Sequence, residues 1–274
     1  MFIGVAISHP PSITSYWERT RWPLQSLYFL LPLLIIYELG ASTYLWERGR
    51  AHTAHRMMLD FMDLFGVTGR HLPALVVAAA LIAMHIARRQ NGAHADTWKP
   101  EPKLYLAMML EAMVLSLPLF VLMAALFREP VHAAAVAGGG DTLAGLWPFG
   151  SGGSGGGGRA EQWKAYLVVS IGAGVYEELV FRLIAIVGIG LITKELLALP
   201  DEVGVGSAVV LSSIGFAWVH FGDGQPIEAG PFLFYFVTGL YFAAIYLTRG
   251  FGLVVATHTL YDVLVFAKGM IDVG

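Results

Sequence analysis

Three short segments in the second half of the chain place acidic, basic and imidazole side chains inside apolar sequence. They are Glu177-Glu178-Leu-Val-Phe-Arg182, Phe216-Ala-Trp-Val-His220 and His258-Thr-Leu-Tyr-Asp262. An Asp, Lys or Arg at the centre of a membrane helix costs about 3 kcal/mol on insertion scales. Side chains kept at that cost usually face a bundle interior or a wet cavity, and they mark a working site.

The spacing within the first segment predicts different roles for its two carboxylates, Glu177 and Glu178. Glu178 and Arg182 are four residues apart, so on a helix they face each other with the acid before the base, the favoured order for an ion pair. Glu177 is rotated by about 100° from Glu178 and is five residues from Arg182, so no cation lies at a pairing position for it on the helix. We therefore expect Glu178 to pair with Arg182 and Glu177 to face a cavity as a general base. In the alternative interpretation, all three charges form one packing network.

The distance of each side chain from the membrane face, counted along its helix, predicts which of the ionisable groups lie at the same level. Glu177 lies 15 residues before the end of the predicted span 164–192, which is about 22 Å along the helix axis. His220 lies 15 residues after the start of the span 205–221, again about 22 Å from the same membrane face. An antiparallel pair of helices therefore brings the two side chains to one level. The same arithmetic places His258 only about 10–12 Å deep.

The second and third segments each contain a pair of residues on one helical face. Phe216 and His220 are four residues apart, as are His258 and Asp262. Asp262 either orients His258 by accepting a hydrogen bond, or both groups point at a reacting oxygen. We expect the two histidines to join the carboxylate pair in one site. Three further ionisable residues in apolar context are interpreted as structural: Glu38, His85 and Glu111.

The composition is that of a helical membrane protein. Of 274 residues, 56% are hydrophobic and 14% are charged, whereas an ordinary soluble domain is about 25% charged. The absence of cysteine excludes a thiol nucleophile, and a net charge of -3 gives no case for nucleic-acid binding. No His-Glu-x-x-His occurs, so the common metalloprotease helix is absent.

Seven apolar segments approach or exceed the length needed to cross a bilayer. They are 24–45, 72–87, 104–127, 164–192, 205–221, 230–248 and 251–268. We therefore expect an all-α, polytopic transmembrane helical bundle of about seven or eight membrane helices, integral to the inner or plasma membrane of the cell.

The pattern divides the chain into three parts. Residues 1–137 hold three spans and a segment at 56–65 that is either an amphipathic surface helix or an ordinary loop helix. Residues 138–160 are rich in glycine and are predicted to form a flexible linker. Residues 161–274 hold all three motifs. The first 23 residues lack the apolar core of a signal peptide.

In their order on successive membrane segments, Glu-Glu-x-x-x-Arg, Phe-x-x-x-His and His-x-x-x-Asp resemble the motifs of the CPBP family. That family contains type II CAAX prenyl endopeptidases and bacteriocin-processing or self-immunity proteins. The resemblance covers about residues 164–268. It implies roles for six residues: activation of water by Glu177 with His220, stabilisation of the oxyanion by His258 and Asp262, and support by Glu178 and Arg182.

Two positions depart from the family pattern. Asp262 replaces the Asn of many members, which puts negative charge near an oxyanion unless the carboxyl is protonated or binds a metal. Leu183 stands where a glycine often follows the arginine, which alters local packing.

The resemblance leaves the cofactor open, because the family is described both as metalloproteases and as metal-free glutamate enzymes. A possible zinc ligand set is formed by Glu177, His220, His258 and Asp262. A Glu–His pair can equally activate water without an ion. We expect either no cofactor or a zinc ion, and we favour the metal-free mechanism.

The leading functional hypothesis is an intramembrane endopeptidase, glutamate- or metal-dependent, that hydrolyses peptide bonds of membrane-associated substrates through a water activated by Glu and His. Its expected partners are a peptide or protein substrate and the lipid bilayer, with no nucleic acid. One alternative is a transporter or proton relay, although neither half repeats the motifs of the other. Another is a non-catalytic self-immunity or scaffold protein of the same family.

Overall fold

The structure of the protein, a computed structural model, describes residues 15–44, 72–90, 98–126, 159–221 and 227–272. Within those ranges the chain forms eight helices and no strand, so the predicted all-α class is confirmed. The predicted surface helix at 56–65 and residues 138–158 of the predicted linker lie outside the described residues. A helix already begins at Arg159, inside the last two residues assigned to that linker.

We number the helices in chain order. They are α1 (Tyr16–Arg19), α2 (Pro23–Tyr44), α3 (Leu72–Gln90), α4 (Pro102–Leu126), α5 (159–196), α6 (Asp201–Val219), α7 (Ala229–Arg249) and α8 (Phe251–Asp272). Among the described residues, five helices are long and apolar enough to cross a membrane, namely α2, α4, α6, α7 and α8. The chain is therefore an integral, multi-pass membrane protein. The predicted spans 72–87 and 164–192 do form helices, α3 and α5, but these two are not among the five.

Helix α5 changes its winding where the first motif lies. It is α-helical over Arg159–Glu178, becomes a π-helix over Leu179–Ile186, returns to α over Val187–Leu191 and ends as a π-helix over Ile192–Leu196. In a π-helix each hydrogen bond closes a wider turn, so the side chains that follow are displaced around the axis. The change in winding therefore falls between the two glutamates and Arg182.

The middle of α5 lies at the centre of the bundle. Between residues 165 and 179, every residue except Leu167 is buried. Glycines allow the neighbouring helices to approach closely: a Cβ on Gly172 would lie 2.4 Å from the ring of Tyr37 in α2. A Cβ on Gly174 would lie 2.1 Å from Oγ1 of Thr259 in α8 and 2.9 Å from the carbonyl oxygen of Val255. The first motif is thereby held against α8, one turn after Gly174.

Helices α7 and α8 are joined by a single residue, Gly250. Its φ is +90°, a conformation that side-chain-bearing residues rarely adopt. A Cβ at this position would also lie 2.8 Å from Cα of Arg21 and 2.9 Å from the carbonyl oxygen of Thr20. Glycine therefore allows both the tight connection and the close approach of the segment that follows α1.

An ion pair fixes the same end of the bundle. Arg249 donates to both carboxylate oxygens of Glu111 in α4, at 2.6 Å and 2.5 Å, and its guanidinium lies 3.7 Å from the centre of the Trp17 ring. Tyr16 donates to Glu111 at 2.6 Å. Burial and the Glu111 carboxylate raise the pKa of the Tyr16 phenol, so it remains a donor. These contacts suit the structural role expected for Glu111.

The close approach of α5 to α8 predicts that Gly174→Ala destabilises the fold. The added methyl group would meet the backbone of Val255 as well as the Thr259 side chain, so the helices must separate. We expect a loss of about 1–3 kcal/mol, the usual cost of overpacking, measured as a lower Tm in detergent. Gly188→Ala is the matched control, since no atom lies within 4 Å of its Cβ position. Equal Tm values for the two variants would contradict this packing.

The ion pair with Arg249 predicts a second effect on stability. Glu111→Gln leaves a 5% exposed guanidinium side chain without its counter-charge, and we expect a loss of about 3 kcal/mol in unfolding experiments. Asp201→Asn provides the comparison, because it removes a pair with Lys194 whose side chains are 34% and 67% exposed. That change should cost less than about 1 kcal/mol. A Glu111→Gln protein as stable as the Asp201→Asn protein would be the opposite result.

Candidate active site

The structure brings the three motifs together from three helices. Glu177 and Glu178 end the first α-helical part of α5, His220 directly follows the last residue of α6, and His258 lies two turns into α8. Asp262 lies one turn after His258 on the same helix. All of the site residues predicted from the sequence are therefore in one place.

Glu177 lies between the two imidazoles. Its Oε2 is 3.7 Å from Nε2 of His220 and 3.9 Å from Nε2 of His258. The predicted meeting of Glu177 and His220 is thus present in the structure. His258 reaches the same level, although the arithmetic from the sequence placed it nearer the membrane face. A tilt of α8, or a shift of a few residues in the span ends, accounts for a difference of that size.

Glu178 makes one contact within its own helix and one with α8. Its Oε2 lies 3.0 Å from Nε of Arg182, as the four-residue spacing predicted. Its Oε1 lies 2.8 Å from Nδ1 of His258, a contact between residues 80 positions apart that the spacing did not reveal. Because an ionised carboxylate only accepts hydrogen bonds, Nδ1 of His258 donates and Nε2 faces Glu177.

Asp262 does not make the hydrogen bond that would orient His258. Its Oδ2 is 3.7 Å from Nε2 of His258, which is too long for a hydrogen bond. Glu178 supplies the orienting contact instead, at the opposite nitrogen. Of the two interpretations left open by the sequence, the one in which Asp262 accepts a hydrogen bond from His258 is therefore not supported by this distance.

His220 is oriented by the backbone of its own helix. Nδ1 lies 2.6 Å from the carbonyl oxygen of Phe216. A carbonyl oxygen can only accept, so Nδ1 carries the proton and donates it. In the neutral ring Nε2 is then an acceptor, and it is this nitrogen that faces Glu177.

Exposure separates the site residues into two groups. Glu178 and Arg182 are completely buried, and the guanidinium also lies 4.7 Å from the centre of the Phe216 ring. The other four side chains retain some exposure: 10% for Glu177, 13% for His220, 5% for His258 and 17% for Asp262. The buried pair of Glu178 and Arg182 can support the other site residues. A substrate can reach the four partly exposed side chains.

Two site neighbours come from α7, which carries none of the three motifs. The ring of Tyr235 stacks on His220 with centroids 4.0 Å apart, and that of Phe242 stacks on His258 at 4.6 Å. Both residues are buried. Their seven-residue spacing puts them on one face of a helix, but a pair of aromatic residues at that spacing is common in membrane sequence. The sequence alone therefore did not single them out.

A zinc centre is not supported. Among the described residues, no group of three or more His, Asp or Glu side chains is arranged to hold a metal ion. The candidate ligand set of Glu177, His220, His258 and Asp262 is therefore gathered at one place without forming a ligand cluster. The metalloprotease interpretation consequently receives no support from the geometry.

The arrangement has the parts needed for hydrolysis of an acyl compound. A carboxylate and an imidazole nitrogen face each other at 3.7 Å, and groups of these two types can accept protons from a water molecule. A second imidazole, held by Glu178, points its other nitrogen to the same place and can interact with a developing oxyanion.

Comparison with known proteins agrees with this chemistry. Residues 159–264 match the family model described as Type II CAAX prenyl endopeptidase Rce1-like. The matched region contains all three motifs, from Glu177 to Asp262. No curated protein matches the chain, and no solved structure matches it. The match confirms, for residues 159–264, the resemblance to the CPBP intramembrane proteases.

Proposed function

We propose that the protein is an intramembrane endopeptidase in which Glu177 and His220 activate the water that hydrolyses a peptide bond of a membrane-associated substrate. The observation that carries this proposal is the position of Glu177 Oε2, within 4 Å of Nε2 of both His220 and His258. The family match supports the reaction class, and the distances support the roles of the residues.

The first step is activation of water. Glu177 Oε2 and His220 Nε2 are 3.7 Å apart, so one water molecule can donate hydrogen bonds of about 2.8 Å to both. With both of its hydrogens engaged, the water presents a lone pair to the substrate carbonyl carbon. As the new carbon–oxygen bond forms, Glu177 takes a proton from the water.

The second step is stabilisation and collapse of the tetrahedral intermediate. His258, protonated at both nitrogens, donates from Nδ1 to Glu178 and from Nε2 to the oxyanion. Asp262, 3.7 Å from that Nε2, balances the positive charge of the ring. The carbon–nitrogen bond then breaks, and the leaving amine receives the proton held by Glu177.

This assignment predicts different effects for the two adjacent glutamates. Glu177→Gln should lower the cleavage rate by at least about 100-fold at an unchanged Tm, because it removes the proton acceptor and keeps the shape. Glu178→Gln should lower both the cleavage rate and the Tm, because it leaves buried Arg182 without a counter-charge. Membrane proteomes from cells carrying each variant, compared by sequencing of new peptide termini, would reveal the cleavage.

Glu195→Gln is the control for these variants, since Glu195 lies on the same helix and is exposed. It should behave as the unmodified protein in both measurements. Full cleavage by Glu177→Gln protein would contradict the proposed role and favour a transporter or a non-catalytic scaffold.

The same mechanism predicts activity without a bound metal. Water is activated by a carboxylate and an imidazole, and the four candidate ligands do not form a ligand cluster. We therefore expect protein treated with a chelator to retain its cleavage rate, with less than stoichiometric zinc in elemental analysis. Loss of activity on chelation, with recovery on addition of zinc, would overturn the metal-free mechanism.

A further inference from the structure

One face of α7 carries the stacking partners of both histidines. Tyr235 and Phe242 are seven residues apart, about two helical turns, so their side chains leave the helix in nearly the same direction. The Tyr235 ring meets His220 with an angle of 27° between the planes. The Phe242 ring meets His258 at 23°. A single helix without any motif residue thus contacts both imidazoles face to face.

The plane of the His220 ring depends on these neighbours. Helix α6 ends at Val219, so His220 is the first residue beyond it. The hydrogen bond from Nδ1 to the Phe216 carbonyl holds one edge of the ring but allows the ring to tilt about that contact. The Phe216 ring lies 4.6 Å away at 54°, and Tyr235 covers the imidazole at 4.0 Å. Stacking by Tyr235 therefore limits the remaining tilt.

His258 is held by the same two kinds of contact as His220, a hydrogen bond at Nδ1 and an aromatic ring against its face. The hydrogen bond between Nδ1 and Glu178 fixes one edge of the ring. Phe242 covers its face at 4.6 Å, and the edge of Phe216 meets it at 6.0 Å. In both histidines, a hydrogen bond at Nδ1 sets the direction of Nε2 and an aromatic ring from α7 sets the plane.

We infer that Tyr235 and Phe242 are positioning residues, which hold the two imidazole planes so that both Nε2 atoms face Oε2 of Glu177. This inference rests on the proposed function for its effect on rate, but the ring geometry stands apart from it. Neither residue donates or accepts a proton in the reaction. A shift of about 1 Å in a reacting group can lower a rate by about 100-fold, so loss of the stacked ring lowers kcat and leaves substrate binding largely intact.

The geometry is tested by NMR of the histidine ring protons in detergent-solubilised protein. A proton above a stacked aromatic ring is shifted by its ring current. The His220 ring signal, assigned by its loss in His220→Gln, should move toward the position of an unstacked histidine in Tyr235→Leu. It should stay in place in Tyr235→Phe, which keeps the ring. The His258 signal should respond in the same way to Phe242→Leu.

The effect on rate is tested with the substrate found in the proteome comparison. Tyr235→Leu and Phe242→Leu should each lower kcat at least tenfold with KM changed less than about threefold. Tyr235→Phe should retain at least half of kcat. Phe234→Leu is the matched control for lost core volume, since Phe234 is buried on α7 and its ring packs on Tyr235 and Tyr261. It should lower Tm to a similar extent and keep kcat within threefold.

The two measurements separate the possible failures. Unchanged ring signals in Tyr235→Leu and Phe242→Leu would overturn the positioning role, whatever the rates. The positioning role is also overturned if Phe234→Leu lowers kcat as much as the other two substitutions. If Glu177→Gln protein remains active while the ring signals shift as expected, the proposed function fails and the stacking geometry stands.

Discussion

The Glu178 carboxylate is completely buried and lies between Nε of Arg182, 3.0 Å away, and Nδ1 of His258, 2.8 Å away. An ionised group in such a place loses several kcal/mol of hydration, which only close opposite charges and hydrogen bonds can offset. The contact also ties α5 to α8, since the two residues are 80 positions apart. The direction of His258 Nε2, and with it the pairing with Glu177, depends on this one carboxylate.

The side chains around that contact differ in their surroundings: Glu178 and Arg182 are enclosed by protein, whereas Glu177 faces the two imidazoles. Arg182 is covered by Phe216 and Phe242 at 4.7 Å and 5.8 Å, so the positive charge that balances Glu178 is kept from water and lipid. Glu177 is the next residue along the chain, yet it faces the two imidazoles. Two adjacent glutamates can serve such different purposes because a helix turns by about 100° per residue.

Local spacing predicted the parts of the site that lie within one helix or depend on depth in the membrane. The ion pair of Glu178 with Arg182 followed from a separation of four residues, and the meeting of Glu177 with His220 followed from equal distances to one membrane face. The hydrogen bond from His258 to Glu178 could not be predicted this way, because it depends on the rotation of α8 about its axis.

Other features were hidden from the sequence because they depend on packing. The π-helical winding that begins at Leu179 has no proline or other local signal in its sequence. Tyr235 and Phe242 look like ordinary apolar residues of a membrane span, and only their contacts with the imidazoles distinguish them. No single spacing establishes the reaction class; the ordered set of three motifs suggested it, and the match over residues 159–264 supports it.

The single residue between α7 and α8 has a mechanical consequence. Because Gly250 packs against Thr20 and Arg21, the ends of α7 and α8 that meet there are held close together. A change in the angle between the two helices would displace each residue of α8 in proportion to its distance from Gly250. That distance is about 12 Å for His258 and about 18 Å for Asp262. A small rotation at the joint would therefore open the end of the site near Asp262 more than it disturbs His258.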